Sequence, residues 1–149
     1  MNFMQINKKK EYDAVAEVNG KVYFKQTKDG VLVTAVIYGL PTSKINCQNN
    51  FLGFHIHEGN SCTGNEMDEF ANAKTHYNPK TCMHPHHAGD LPPLLENNGN
   101  AYMTVLTNRF NIEEIIGKVV VIHDKPDDFV TQPSGNSGTK IACGEIKKI

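Results

Sequence analysis

The chain has no tryptophan and a single arginine, Arg109, among 15 basic residues. It also has no hydrophobic run long enough to span a bilayer, because the longest, 31–40, is broken by Thr34 and Tyr38. Residues 1–10 lack the apolar centre of a leader peptide, which sets the expectation of a cytoplasmic protein with no membrane partner. Charge is nearly balanced, 15 basic residues against 16 acidic, for a net of −1. That balance excludes the broad basic surface a non-specific nucleic-acid binder needs. Helical signals are scarce too. Only 111–116 reads as helical, and six residues make little more than one turn.

What remains is a chain of 149 residues, the size of one domain spanning 1–149, with 39% hydrophobic residues to form one core. Short β-rich runs recur between turn signals, at 13–19, 21–27, 31–38, 51–57, 101–107, 118–123 and 139–146. Lys28-Asp29-Gly30 lies between two of them and favours a tight hairpin, since Asp-Gly tolerates positive φ. Many short strands with Gly and Asn turns point to an all-β antiparallel barrel or sandwich. Two long stretches, 58–100 and 124–138, do not read as strands. Loops of that length in a compact domain are usually functional and need something to hold them, such as metal ions or a disulfide.

The seven histidines are clustered: six lie between positions 55 and 87, and the seventh is His123. In the strand-like run 51–57, alternation sends His55 and His57 to one face and Phe54 and Ile56 to the other. Two imidazoles on one rigid strand make half a metal site, although His-x-His alone also fits a hydrogen-bonded surface pair. His76, His84, His86, His87 and Asp90 form a second group, rich enough in N and O donors for a tetrahedral zinc ion. His123 ends the run Val119-Val120-Val121-Ile122 and offers a third imidazole beside His55 and His57. An all-imidazole site suits copper. Four cysteines, at 47, 62, 82 and 143, leave the pairing open, and Cys82 lies among the histidines where zinc ligation is a competing use.

Five segments occur in order: Gly53-Phe54-His55-Ile56-His57-Glu58, His76-Tyr77-Asn78-Pro79, His87-Ala88-Gly89-Asp90-Leu91, Val121-Ile122-His123, and Pro133 through Gly144. Together they resemble the copper/zinc superoxide dismutase family over roughly residues 13–146. The resemblance implies an eight-stranded antiparallel Greek-key β-barrel, a flattened sandwich with long metal-binding and electrostatic loops. It implies one copper ion per chain held by His55, His57, His76 and His123, and one zinc ion per chain held by His76, His84, His87 and Asp90. His76 would serve both ions, Asp127 would hydrogen-bond ligands of both, and Cys62 and Cys143 would form a disulfide, leaving Cys47 and Cys82 free. Implied with these are superoxide as substrate, its disproportionation to dioxygen and hydrogen peroxide, a homodimer and a copper chaperone as loading partner.

Two departures from the family pattern bear on this expectation. Lys140 stands where the family usually has an arginine that attracts and orients the anion. A positive charge survives, but a planar two-donor fork is lost, so the expectation is an active enzyme with a reduced rate. The zinc loop is also shortened, with only two residues between His84 and His87, so that His86 competes with His84 as a ligand.

Overall fold

The computed structural model describes residues 11–45 and 47–149. Residues 1–10, read above for a leader, lie outside the described residues. The elements are β1 (Ala14–Glu17), β2 (Gly20–Thr27), β3 (Gly30–Ile37), β4 (Phe51–Leu52), β5 (Phe54–His57), a 3-10 turn (Ala71–Ala73), β6 (Leu94–Leu95), β7 (Ala101–Thr107), α1 (Ile112–Ile115), β8 (Val119–His123) and β9 (Lys140–Lys148). No helix among the described residues is long and apolar enough to cross a membrane.

Seven strands form one antiparallel sheet in the order β5-β8-β9-β1-β2-β3-β7, and β4 pairs with β6. Period-two alternation sets which face is buried: Val31, Val33, Ala35 and Ile37 of β3 have no exposed surface. They meet Phe24, Phe54, Ile56, Ile122 and Ile146 in one core. The β2–β3 turn has the register expected of a two-residue hairpin, with Thr27 opposite Gly30. Gly30 has φ +139°, and a Cβ there would sit 2.4 Å from the Thr107 carbonyl oxygen, so glycine is required.

Gly53 divides the 51–57 run into β4 and β5, which then serve different partners. The Gly53 N–H donates to the Lys125 carbonyl at 2.8 Å, and its own carbonyl accepts from the His123 N–H at 2.8 Å. Counted as one interrupted strand, β4 and β5 give eight strands among the described residues. The change of partner at Gly53, from β6 to β8, is a corner of the curled sheet. α1 is a single turn closed by a capping box: the Asn111 side chain accepts from the Glu114 N–H, and Glu114 accepts from the Asn111 N–H.

Strand β5 buries both faces. Phe54 and Ile56 enter the core, while His55 and His57 lie on the outer face under the long loop. Beside them across the ladder, Val119 and Val121 of β8 carry a small apolar cluster with Ala73 that Cys62, Phe70 and Cys143 pack against. The disulfide Cys62–Cys143, with Cα atoms 5.6 Å apart, fastens the loop after β5 to β9. Cys47 and Cys82 are free. Replacing both bridge cysteines by serine is expected to lower unfolding free energy by about 4–5 kcal/mol, the chain-entropy value for a loop of roughly this length. Guanidinium unfolding of the double variant measures this, and a loss under 1 kcal/mol would show that the bridge constrains the denatured chain very little.

Candidate metal centre

The loop reaches the outer face of β5 as an irregular extra strand. The Ile56 N–H donates to the Gly89 carbonyl at 2.9 Å, and the Tyr77 N–H donates to the Ile56 carbonyl at 2.8 Å. A Cβ at Gly89 would lie 2.1 Å from the Ile56 carbonyl oxygen, so only glycine allows the loop this close. The approach sets His55 opposite Asp90 and His57 opposite His76. On the other side, the β8–β9 register shifts between Ile122 and His123. Such an irregularity bends a strand and re-aims the side chain at its end.

The result is two contiguous donor clusters, His55, His57, His76 and His123 in one and His76, His84, His87 and Asp90 in the other. Within each, the ligating atoms lie within 4.8 Å of one another. Every one of the seven residues named for the metals from the sequence falls in these clusters. Of the two competing histidines, His84 is 3% exposed and falls in the second cluster beside Asp90, whereas His86 is on the surface. Four separate segments therefore converge on one point, although no two of His55, His76 and His123 are neighbours in sequence.

Hydrogen bonds on the far side of four of the six rings fix which nitrogen is bare. Carbonyl and carboxylate oxygens only accept, so a ring nitrogen bonded to one carries the proton and the opposite nitrogen does not. His57 donates from Nδ1 to the Lys74 carbonyl at 2.8 Å, and His123 from Nδ1 to the Gly138 carbonyl at 3.3 Å. His55 and His84 donate from Nε2 to the two oxygens of Asp127, each at 2.7 Å. Asp127 thus ties a ring of one cluster to a ring of the other. The loop that carries it packs without clearance, since a Cβ at Gly135 would lie 2.1 Å from Asp127 Oδ1.

The bare nitrogens all face inward. Nδ1 of His55, Nε2 of His76 and Nδ1 of His84 are buried without a hydrogen-bond partner. Nε2 of His57 and Nε2 of His123 confront each other at 3.3 Å, two lone pairs with no proton between them. In the second cluster His76 Nδ1 lies 2.8 Å from Asp90 Oδ1 and 3.4 Å from His87 Nδ1. Asp90 Oδ2 lies 3.1 Å from His84 Nδ1 and 3.3 Å from His87 Nδ1. In the first cluster the buried lone pairs converge without a donor, which is costly unless a cation sits among them. In the second, the His76–Asp90 hydrogen bond already draws the donor atoms together around one point. Four imidazoles suit copper, and three imidazoles with one carboxylate suit tetrahedral zinc. The residues fit both ions.

Electrostatics agree with that donor state. Burial holds His55 neutral, with its pKa lowered to about 4, and that of His123 to about 3. Burial likewise lowers His57 and His87. Burial alone would raise Asp90 and Asp127, but their imidazole partners, His76 for Asp90 and His55 and His84 for Asp127, outweigh it and hold both carboxylates ionised. Neutral imidazoles and charged carboxylates are what metal ligation requires. The sign for stability follows. The unfolded chain binds protons on its histidines near pH 6.5, but the folded chain resists until far lower pH, so stability is fully present above about pH 6.5 and falls as pH drops toward 4. Calorimetry of metal-free protein from pH 7 to pH 4 should show a steadily falling Tm, and a Tm flat over that range would contradict these buried neutral rings.

A cleft of about 470 Å³ opens onto the first cluster, lined by His57, His76, His123, Ser134, Gly138 and Lys140 among others. Lys140 stands at this mouth, as the sequence led us to expect, but its Nζ is engaged by Asp68 Oδ2 at 2.5 Å. Nothing in the sequence pointed to Asp68, which lies 72 positions away on the disulfide-bearing loop. The Lys140 ammonium is the first cause holding the Asp68 carboxyl low. Arg109 Nη1 also reaches the loop that carries the second cluster, donating to the Pro85 carbonyl at 2.8 Å, and the one sequence signal for it is that it is the chain's single arginine.

Fold and site together define an antiparallel β protein, its sheet curled into a half-barrel, with two donor clusters that could each hold a metal ion and that share one histidine. The family model for copper/zinc superoxide dismutase (SODC) matches residues 18–146, and the chain belongs to this family. A copper–zinc superoxide dismutase of Aquifex aeolicus (strain VF5) is 36% identical over 146 residues, covering 88% of this chain and 80% of the relative. The Cu/Zn superoxide dismutase structure from Brucella abortus superimposes with TM-score 0.74 at 27% identity, covering 91% of this chain and 99% of that one. A superoxide dismutase-like protein from Bacillus subtilis gives TM-score 0.72 at 30% identity, covering 89% of this chain and 97% of that one.

Proposed function

We propose that the chain is a superoxide dismutase that converts superoxide to dioxygen and hydrogen peroxide, with one copper and one zinc per chain. The observation that carries this reading is the placement of His76. Its Nδ1 faces the carboxylate and imidazole of the second cluster, while its buried Nε2 is left, unpartnered, to the first. His55, His57, His76 and His123 would hold copper, and His76, His84, His87 and Asp90 would hold zinc. Copper, when bound, supplies a one-electron couple able to oxidise one superoxide and reduce the next.

The chain's own residues supply the rest. Lys140 draws the anion to the mouth. His57 and His123, locked from behind by the Lys74 and Gly138 carbonyls, keep their donor atoms pointed into it. His76 holds and releases a proton at Nε2, beside the place where the reacting oxygen would sit. Its opposite nitrogen stays engaged by the second cluster, so the ring does not swing as that proton moves.

A second reading, a non-catalytic copper/zinc-binding homologue for metal storage or delivery, is favoured by one observation: Lys140, which lines the mouth together with Lys74 and the histidines, is tied to Asp68. One experiment separates them. Protein loaded with both metals is analysed for copper and zinc per chain, and superoxide loss is assayed with and without cyanide. Cyanide-sensitive loss at one copper per chain supports the enzyme, whereas full copper occupancy without it supports the binding homologue. A homodimer and loading by a copper chaperone are proposed on family grounds; the exposed Phe51 and Leu95, opposite each other across β4 and β6, are suited to a subunit contact. Sedimentation equilibrium at twice the chain mass would support the dimer.

A further inference from the structure

We propose that Arg109 is a positioning residue for zinc: its guanidinium holds the backbone of the short loop in the shape that His84, His87 and Asp90 need. The inference rests on the reading of the second cluster as the zinc site. Arg109 stands between β7 and α1, anchored by the buried Phe110 that follows it. Its Nη1 points at three carbonyls of the loop, Pro85 at 2.8 Å, His87 at 3.1 Å and Asp90 at 3.4 Å. Two of these belong to proposed ligands, and the third directly follows the remaining one.

One cation therefore gathers the main chain at His87, at Asp90 and at the residue next to His84. The turn itself is local, with the Asp90 N–H donating to the His87 carbonyl at 3.1 Å and the His87 N–H to Asp90 Oδ2 at 3.0 Å. Such contacts fix His87 relative to Asp90 but not the segment of His84 relative to either. Across that gap the backbone offers a bond from the His86 N–H to the Met83 carbonyl at 2.8 Å, and Arg109 is the side chain that ties the two parts together.

The composition supports this argument independently. Lysine takes 14 of the 15 basic positions, and arginine survives only here. All three contacts fall on the one nitrogen Nη1, whose two N–H bonds lie in fixed directions in the guanidinium plane, so one of them is shared between carbonyls. Lysine has enough donors but carries them on a freely rotating ammonium at the end of a more flexible chain, so it would keep the charge beside these carbonyls with less constraint on the loop. At this position alone, the choice of arginine has a geometric reason.

The test uses wild-type protein and the Arg109→Lys and Arg109→Met variants, loaded with both metals. Zinc release to a colorimetric chelator, copper retention and the Tm of metal-free protein are measured for each. Zinc is expected to leave Arg109→Met about tenfold faster than wild type, in the range seen when partners that orient metal ligands are lost. Arg109→Lys should fall between them, with copper retention and metal-free Tm close to wild type. Release no faster than wild type overturns the role of Arg109 alone. Equal losses of copper and of metal-free Tm also overturn it, because they would mark general loosening of the fold. A wild-type protein that takes up no zinc overturns the zinc reading and this inference with it.

Discussion

Asp127→Ala is expected to release zinc from the protein and to weaken copper binding less. The carboxylate accepts from His55 Nε2 and His84 Nε2 at 2.7 Å each, and it is itself held by the Phe129 N–H at 2.8 Å. Removing it frees both rings to turn and both protons to move to Nδ1, the atoms that face the clusters. The two rings do not suffer alike. His55 projects from β5, whose ladder with β8 fixes its backbone, and it needs Asp127 only to choose the tautomer. His84 sits on a loop where its backbone is held by side-chain bonds, its N–H donating to Gln132 Oε1 at 2.9 Å and its carbonyl accepting from Gln132 Nε2 at 2.7 Å. Asp127 is what holds its ring to the 124–138 segment. A loss of about 10–100-fold in zinc affinity is expected, as for other partners that orient metal ligands, with a smaller loss for copper. Asp127→Asn should fall between, because an amide offers one acceptor oxygen where two imidazoles need one each. Dialysis against graded chelator, followed by metal analysis, gives both affinities. Zinc affinity within twofold of wild type in Asp127→Ala would show that His84 is positioned without it.

How much of the fold and site is legible in the sequence follows from the range of the interactions. Within a strand, side-chain direction is set by alternation, so the opposite facing of His55 and Ile56 can be read from the run itself. The strand runs and the one-turn helix after Asn111 are local in the same sense. What alternation does not give is the break at Gly53, because the need for glycine comes from the approach of Ser137 and the bonds to Lys125 and His123. Nor does the loop 58–100 announce its short β6 strand or its 3-10 turn, whose two and three residues are too few for any period to register.

The site divides similarly. The metal donors stand out because their residue types are rare and clustered, and because their order resembles one family. The groups that make those donors work do not. The Lys74 and Gly138 carbonyls have no sequence signature, since every residue carries one. Asp68 is one of 16 acidic residues, and only the folded chain brings it to Lys140. The same contact alters the meaning of Lys140, which the sequence presents as a free cation and the structure as half of an ion pair.

Lys140→Glu is expected, under the proposed activity, to lower kcat/KM for superoxide by about tenfold or more at low ionic strength, a drop typical of lost electrostatic focusing. The substitution changes the charge at the mouth by two units and sets a second carboxylate against Asp68. The deficit should shrink as salt rises, because exposed charges are screened beyond about 8 Å at physiological ionic strength. Lys140→Arg should act in the opposite sense. A guanidinium can keep Asp68 on one edge and offer the other to the anion, whereas the ammonium presents no such fork. Asp68→Asn separates steering from orientation: it removes the opposing charge at the mouth but leaves Lys140 less constrained. Its kcat/KM is expected to rise at low ionic strength and to fall more steeply with added salt than that of wild type. Lys140→Arg equal to wild type at low salt would remove the case that lysine slows the enzyme. A Lys140→Glu variant as fast as wild type would remove Lys140 from anion capture altogether, and the pull on superoxide would have to come from the metal centre itself.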